Sequence, residues 1–352
     1  MVTSRRCFLS LATGALLGLT RTPGLRAAEA RTISWPSRTI QLPSDADQKP
    51  PVVTALRLHP AGQHLATAGD DHSVRVWNLA DGKLLHKLEG HTDWVRTVDY
   101  SPDGRVLASA GNDRRILTWD ATTGERLEEF AVQPAAIAAI RYSHDGKWLA
   151  AIGFEEIIRL YDAATKQIAA QLAAPCQDVR AVAFSPDDRA LVCGGRSGLL
   201  RLLACPSGEI LRDVPAHRQR IRAVAFSSDG SYVASAGEDR LVHIVAVSGG
   251  EGASLPARPA KMLAVAFYGP QHLAVAGSDN LIRLWDVTTR DEIGCLHGHT
   301  GTIAALECQG KVLVSAGYDT TIRSWDVGSQ VASDAGPTGG RVGELPTEQR
   351  TR

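Results

Sequence analysis

Within the stretch "GHTDWVRTVDYSPDGRVLASAGNDRRILTWD", Gly90–Asp120, stand His91, Ser109 and Asp113, followed by Trp119. Those three residue types make a hydrolytic triad when a histidine takes the serine proton and an aspartate holds the histidine. The reaction also needs an exposed serine beside an oxyanion site. Ser109 lies in "LASAG", mid-strand among apolar neighbours and outside any G-x-S-x-G elbow. The spacing therefore reads as a building unit before it reads as a reaction centre. Other chemistries fare no better. The eleven histidines are dispersed, with no H-x-x-x-H or Cys/His ligand spacing, and His297 stands alone beside His299. Glu155 and Glu156 are adjacent, so on a strand they face opposite sides and make a poor acid/base pair. There is no P-loop, no dinucleotide fingerprint and no C-x-x-C-H, and no cofactor or metal is expected.

The elements that must carry these residues begin after a leader. "MVTSRRCFLSLATGALLGLTRTPGLRAAEA", residues 1–30, has Arg5-Arg6, a short Gly-containing apolar run and small residues at Ala28 and Ala30. "SRRCFLS" resembles a bacterial twin-arginine signal, which exports folded proteins; an uncleaved anchor is the alternative. The resemblance implies a periplasmic or cell-envelope location. No later segment is long and apolar enough to span a membrane. Without residues 1–30 the chain carries 34 basic and 37 acidic residues, so no global basic field points to nucleic acid. Five cysteines remain, at 176, 193, 205, 295 and 308. An odd, scattered set argues against a disulfide framework and for small buried hydrophobes.

A repeat covers the remainder. "VRVWN", "ILTWD", "IRLYD", "LRLLA", "VHIVA", "IRLWD" and "IRSWD" place Trp77, Trp119, Tyr161, Leu203, Val245, Trp285 and Trp325 at intervals of 42, 42, 42, 42, 40 and 40 residues. Apolar residues alternate with period two inside each unit, as strands require. The first two strands are joined by turns such as "SPDG" at 101–104 and "SHDG" at 143–146. There Pro presets one dihedral, Asp bonds its own backbone and Gly accepts positive φ. Four short strands per unit, seven units and no helical period predict an all-β, seven-bladed β-propeller of four-stranded antiparallel blades over residues 31–327. After "TIRSWDV" the chain turns polar and Gly-rich, and residues 328–352 read as a disordered tail without a fourth strand. "RTIQLP", Arg38–Pro43, is expected to supply that strand and close the ring.

These units resemble the WD-repeat propellers, with "GH" at 90–91 and 298–299, "AH" at 216–217, and "WD" at 119–120, 285–286 and 325–326. The resemblance implies a structural hydrogen-bond network in each complete repeat. It falls on His91, Ser109, Asp113 and Trp119; on His217, Ser235 and Asp239, with Val245 replacing Trp; and on His299, Ser315, Asp319 and Trp325. The first repeat keeps Thr67, Asp71 and Trp77 without a histidine, and the sixth keeps Asp279 and Trp285 with Val275 at the hydroxyl position. The third (Ala151, Glu155, Tyr161) and fourth (Cys193, Ser197, Leu203) depart furthest and are expected to be less rigidly tied. One triad serves an enzyme; a set recurring in three repeats suits a brick.

The resemblance also implies three positions per blade on the narrow face near the central channel. They fall on Val52, Thr54 and Asp70; Trp94, Arg96 and Asn112; Ala136, Ala138 and Phe154; Asp178, Arg180 and Arg196; Arg220, Arg222 and Glu238; Lys261, Leu263 and Ser278; and Thr302, Ala304 and Tyr318. Arg96, Arg180, Arg196, Arg220, Arg222 and Lys261 give that face a basic arc, and Trp94, Phe154 and Tyr318 add aromatic anchors. Arg, Trp and Tyr are the residue types most enriched at binding hot spots. The expectation is a non-enzymatic, monomeric interaction platform for a protein or peptide partner of acidic character. The competing expectation, a lactonase-like exported hydrolase with its site at the channel, requires carboxylates or histidines clustered at the channel mouth.

Overall fold

The computed structural model describes residues 37–42 and 50–328. The leader at 1–30 and the tail beyond 328 lie outside the described residues. Every described element is a strand, and the strands form seven four-stranded antiparallel sheets. Six blades take four consecutive strands each. The seventh takes 303–309, 312–317 and 321–326 from the C-terminal end and Ser37–Gln41 as its outer strand. Ser37 pairs with Trp325 and Gln41 with Thr321, so the expected ring closure is present.

The blades alternate small and large apolar residues because each sheet packs on both faces. Seven buried clusters fill the seven gaps between neighbouring blades. One gap shows why the closure strand matters. Ile40 and Leu42 pack with Val53, Leu56, Leu65 and Trp77 of the first blade and with Val314, Ala316 and Ile322 of the seventh. Burying an aliphatic side chain of this size contributes ~1.5–3 kcal/mol. The departing third and fourth blades are complete sheets of six-residue strands. Their shared gap is filled by Ile152, Leu160, Leu172, Phe184 and Cys193, so apolar packing stands where the polar network is missing. All five cysteines at 176, 193, 205, 295 and 308 are free thiols.

One backbone irregularity recurs in every blade. The innermost strand skips one residue of register against the second strand, between Val53/Ala55, Val95/Thr97, Ile137/Ala139, Val179/Ala181, Ile221/Ala223, Met262/Ala264 and Ile303/Ala305. Such a bulge frees one residue from pairing and re-aims its side chain. The freed residues are Thr54, Arg96, Ala138, Arg180, Arg222, Leu263 and Ala304, and all seven line the central channel.

Candidate functional site at the channel mouth

The second blade settles what His91, Ser109 and Asp113 do. His91 Nδ1 lies 2.7 Å from Asp113 Oδ2, and His91 Nε2 lies 2.7 Å from Ser109 Oγ. That is the connectivity of a serine-hydrolase triad, yet Ser109 is fully buried. Trp119 Nε1 donates to the same Oγ at 2.8 Å. An indole can only donate, so Ser109 accepts from Trp119 and donates its own proton to His91 Nε2. His91 then presents Nδ1–H to Asp113. Every polar atom is satisfied internally, and no face of the hydroxyl is open to a substrate.

Blade 7 repeats the set: His299 bonds Asp319 and Ser315 at 2.7 Å each, and Trp325 bonds Ser315 at 2.9 Å. Blade 5 has both histidine bonds at 2.9 Å, with Val245 in place of the indole. Burial raises the carboxyl of Asp113, but the His91 hydrogen bond and the Arg115 and Thr92 amides outweigh it and leave the pKa below the usual value. Asp239 and Asp319 are lowered in the same way, against burial and by the same kinds of bond. Burial pushes His299 below 6.5 despite Asp319.

Blades 1, 3 and 6 lack the histidine and hold the loop acid differently. Arg75 pairs with Asp71 at 2.5 Å, Arg159 with Glu155, and Arg283 with Asp279 at 2.6 Å. The cation stands four residues after the acid each time. That acid-x-x-x-Arg spacing is visible in the sequence at Asp71/Arg75, Glu155/Arg159 and Asp279/Arg283.

The three narrow-face positions of each blade form one repeated unit. The backbone N–H of the third donates to the carbonyl of the first in all seven: Asp70 to Val52, Asn112 to Trp94, Phe154 to Ala136, Arg196 to Asp178, Glu238 to Arg220, Ser278 to Lys261 and Tyr318 to Thr302. The preceding glycine permits this approach. A Cβ on Gly111 would stand 2.0 Å from the Trp94 carbonyl oxygen. The freed bulge residue lies between these two and points into the channel.

Trp94, Phe154 and Tyr318 are exposed by 47%, 39% and 54%, which for large aromatics leaves most of a ring face in water. Arg196 and Lys261 are exposed, while Arg96, Arg180, Arg220 and Arg222 are half-buried. The basic arc is partly neutralised. Asp178 pairs with Arg180 and, at 2.9 Å, with Arg220. Glu238 takes Arg220 at 3.3 Å, Arg222 at 3.6 Å and Lys261 at 3.6 Å. Arg96 bonds the Asn112 side chain. The Phe154 ring carries the Arg180 guanidinium 4.4 Å from its centroid and that of Arg96 at 5.9 Å. Arg196 has no ion-pair partner among the described residues. The sequence placed Asp178 and Glu238 on this face but did not reveal that they bridge the arginines.

Three residues deeper along the same strands stands a second tier: Arg57, Asp99, Arg141, Ala183, Ala225, Ala266 and Glu307. A three-residue step puts it about 10 Å below the mouth. Arg57 bridges Asp99, at 2.9 Å, and Glu307. The Tyr142 amide also donates to Asp99. Arg141 donates to the Ile140 carbonyl at 2.6 Å, and burial, then Arg57, lowers it to about 10. The two channel carboxylates are thus committed to Arg57. The channel as a whole, from the mouth past the second tier, has a volume of about 640 Å³. Among the described residues no cluster of His, Cys, Asp and Glu is arranged to hold a metal.

Comparison with known proteins agrees with this architecture. A profile of the WD domain, G-beta repeat family matches residues 42–78, 82–120, 167–202, 208–245 and 290–326, together more than half of the chain. The unmatched third and sixth blades are two of those without the histidine. Mitochondrial division protein 1 of Mycosarcoma maydis is 32% identical over 93 residues, 26% of this chain and 11% of that protein. A probable serine/threonine-protein kinase, PkwA, of Thermomonospora curvata is 50% identical over 42 residues, 12% of this chain and 6% of that protein. A p21-activated protein kinase-interacting protein 1-like protein of Danio rerio is 33% identical over 63 residues, 17% of each chain. The chain thus spans about a tenth of the first of these relatives and less of the second. Five profile matches in register with seven four-stranded blades make this chain a member of the WD-repeat (WD domain, G-beta repeat) family.

Proposed function

We propose that the protein is a non-enzymatic interaction platform that receives an acidic segment of a protein partner on its narrow face, in the bacterial cell envelope. WD-repeat proteins are generally scaffolds, and the repeat bonds here are internal. One observation carries the reading: exposed Trp94, Phe154 and Tyr318 stand around a channel mouth where cations outnumber carboxylates. Aromatic rings supply contact area at low entropic cost, and half-buried guanidinium groups supply directed donors. The relatives' names fit this reading only in part, one being an interacting protein and one a kinase. The envelope location rests on Arg5-Arg6 and the small residues before position 31.

The test is affinity capture from native envelope with the purified protein as bait. Trp94→Ala, Tyr318→Ala and Arg196→Glu each remove a narrow-face feature without breaking an ion pair. They are expected to lose the captured partner, while Leu211→Ala on an outer strand retains it. Retention by all three narrow-face variants refutes the site. For location, a reporter fused to residues 1–30 is expected to leave the cytoplasm and to stay there with Arg5→Lys/Arg6→Lys. A lactone and ester hydrolysis screen on the same preparation addresses the enzyme reading, which turnover above background would support.

A further inference from the structure

We propose that the channel mouth is a binding site for a multivalent oxyanion, a phosphate or carboxylate, held between Arg96, Arg180 and Arg222. This goes beyond the platform reading, because the site needs only the channel wall. All three arginines occupy the freed bulge position of their blades, so all three are aimed at one axis. Ala138 occupies the same position in the blade between Arg96 and Arg180. Its small side chain leaves space on the wall that no acid among the described residues fills. The Phe154 ring packs against the Arg180 guanidinium at 4.4 Å and lies 5.9 Å from that of Arg96, so one ring touches both neighbouring cations.

The charges do not balance at this tier. Arg96, Arg180, Arg196, Arg220, Arg222 and Lys261 face the carboxylates of Asp70, Asp178, Glu238 and the more distant Asp93. The deeper tier does balance, with Arg57 and Arg141 against Asp99 and Glu307. The excess is therefore confined to the mouth. Burial lowers Arg96 and Arg222, and the repulsion of Arg180 lowers both further. Like charges held together this way gain when an anion enters among them. Three guanidinium forks around one axis present planar donors to several oxygens at once, which favours phosphate and carboxylate over chloride.

Two sources can supply such a group, a free anion or an acidic side chain of a docked partner, and the experiment separates them. Isothermal titration at constant ionic strength uses inorganic pyrophosphate as one probe and hexaglutamate peptide as the other, with chloride as control. At least one probe is expected to bind the wild-type protein. Arg96→Gln/Arg222→Gln is expected to weaken that binding at least tenfold. Folding is protected in this variant, because Asp178 keeps Arg180 and Arg220 while Glu238 keeps Arg220 and Lys261. A second variant keeps every arginine: Ala138→Glu tethers a carboxylate where the anion sits. It is expected to abolish probe binding and raise the melting temperature, while Ala138→Gln does neither. Pyrophosphate binding that survives Trp94→Ala and Tyr318→Ala identifies a free anion. Binding of hexaglutamate alone, lost in those variants, identifies a partner's acid. Absence of binding by both probes, or equal binding by wild type, Arg96→Gln/Arg222→Gln and Ala138→Glu, overturns the proposal. The platform reading survives that result, since its test rests on Trp94, Tyr318 and Arg196.

Discussion

Replacing Ser109 by alanine and, separately, Ser235 by alanine distinguishes a structural hydrogen-bond network from incidental proximity. Ser109 Oγ serves two buried partners, His91 Nε2 at 2.7 Å and Trp119 Nε1 at 2.8 Å. Ser235 Oγ serves His217 Nε2 at 2.9 Å and lies at 3.5 Å from the His243 carbonyl, which backbone pairing already satisfies, and among the described residues no indole approaches it because Val245 occupies that position. Both serines are fully buried, so water cannot replace the lost oxygen without a cavity. Each stranded buried group costs ~1–3 kcal/mol. Ser109→Ala is therefore expected to destabilise by about 2–6 kcal/mol and Ser235→Ala by about 1–3, a difference of one orphaned indole N–H. Urea unfolding followed by tryptophan fluorescence and circular dichroism measures both, with midpoints compared at unchanged slope. Ser315→Ala is expected to match Ser109→Ala, since blade 7 repeats the same bonds. Equal losses for Ser109→Ala and Ser235→Ala, or no loss in either, would refute polar satisfaction as the role of these residues.

Ile40→Asp is expected to open the ring at its closure. It puts a charge where Ile40 packs against Trp77 and Ile322, and a drop in unfolding midpoint far larger than that of the exposed-site control Arg38→Asp checks it. Acidification is expected to destabilise in two steps, both of the same sign. His299 is lowered below 6.5, so the unfolded chain takes its proton first; stability is intact above about pH 6.5 and declines as pH falls toward the folded value. Asp113, Asp239 and Asp319 are also lowered; their contribution is present above about pH 4 and is lost as pH falls through their depressed folded values. Melting temperature against pH tests both, and His299→Gln is expected to shrink the upper step, to which the likewise lowered His64 and His243 also contribute.

The 42-residue interval between Trp77, Trp119 and Tyr161 made the blade count readable, because one blade is one hydrophobic brick and its period survives substitutions as large as Trp to Leu203. The strand "RTIQLP" could be matched to the last blade for a similar reason: the seventh unit lacked an outer strand and a ring has no free end. His91, Ser109, Asp113 and Trp119 were nameable because they recur at fixed offsets, and their bonds span at most 22 residues of chain. Local contacts leave local patterns.

The channel mouth was legible only as a set of positions. That Arg220 of the fifth blade reaches Asp178 of the fourth, and that Phe154 of the third lies under Arg180 and near Arg96, depends on contacts between different blades. The Arg57 bridge to Asp99 and Glu307 joins the first blade to the second and, across 250 residues, to the seventh. No spacing within one repeat encodes such a pair, because neighbouring blades meet by closure of the ring. The sequence by itself determined the brick and the number of bricks, through a period set by strand geometry and burial. Only the tertiary structure decided which charges cancel, because the ring brings residues from different blades to one axis, and charge balance is a property of distance.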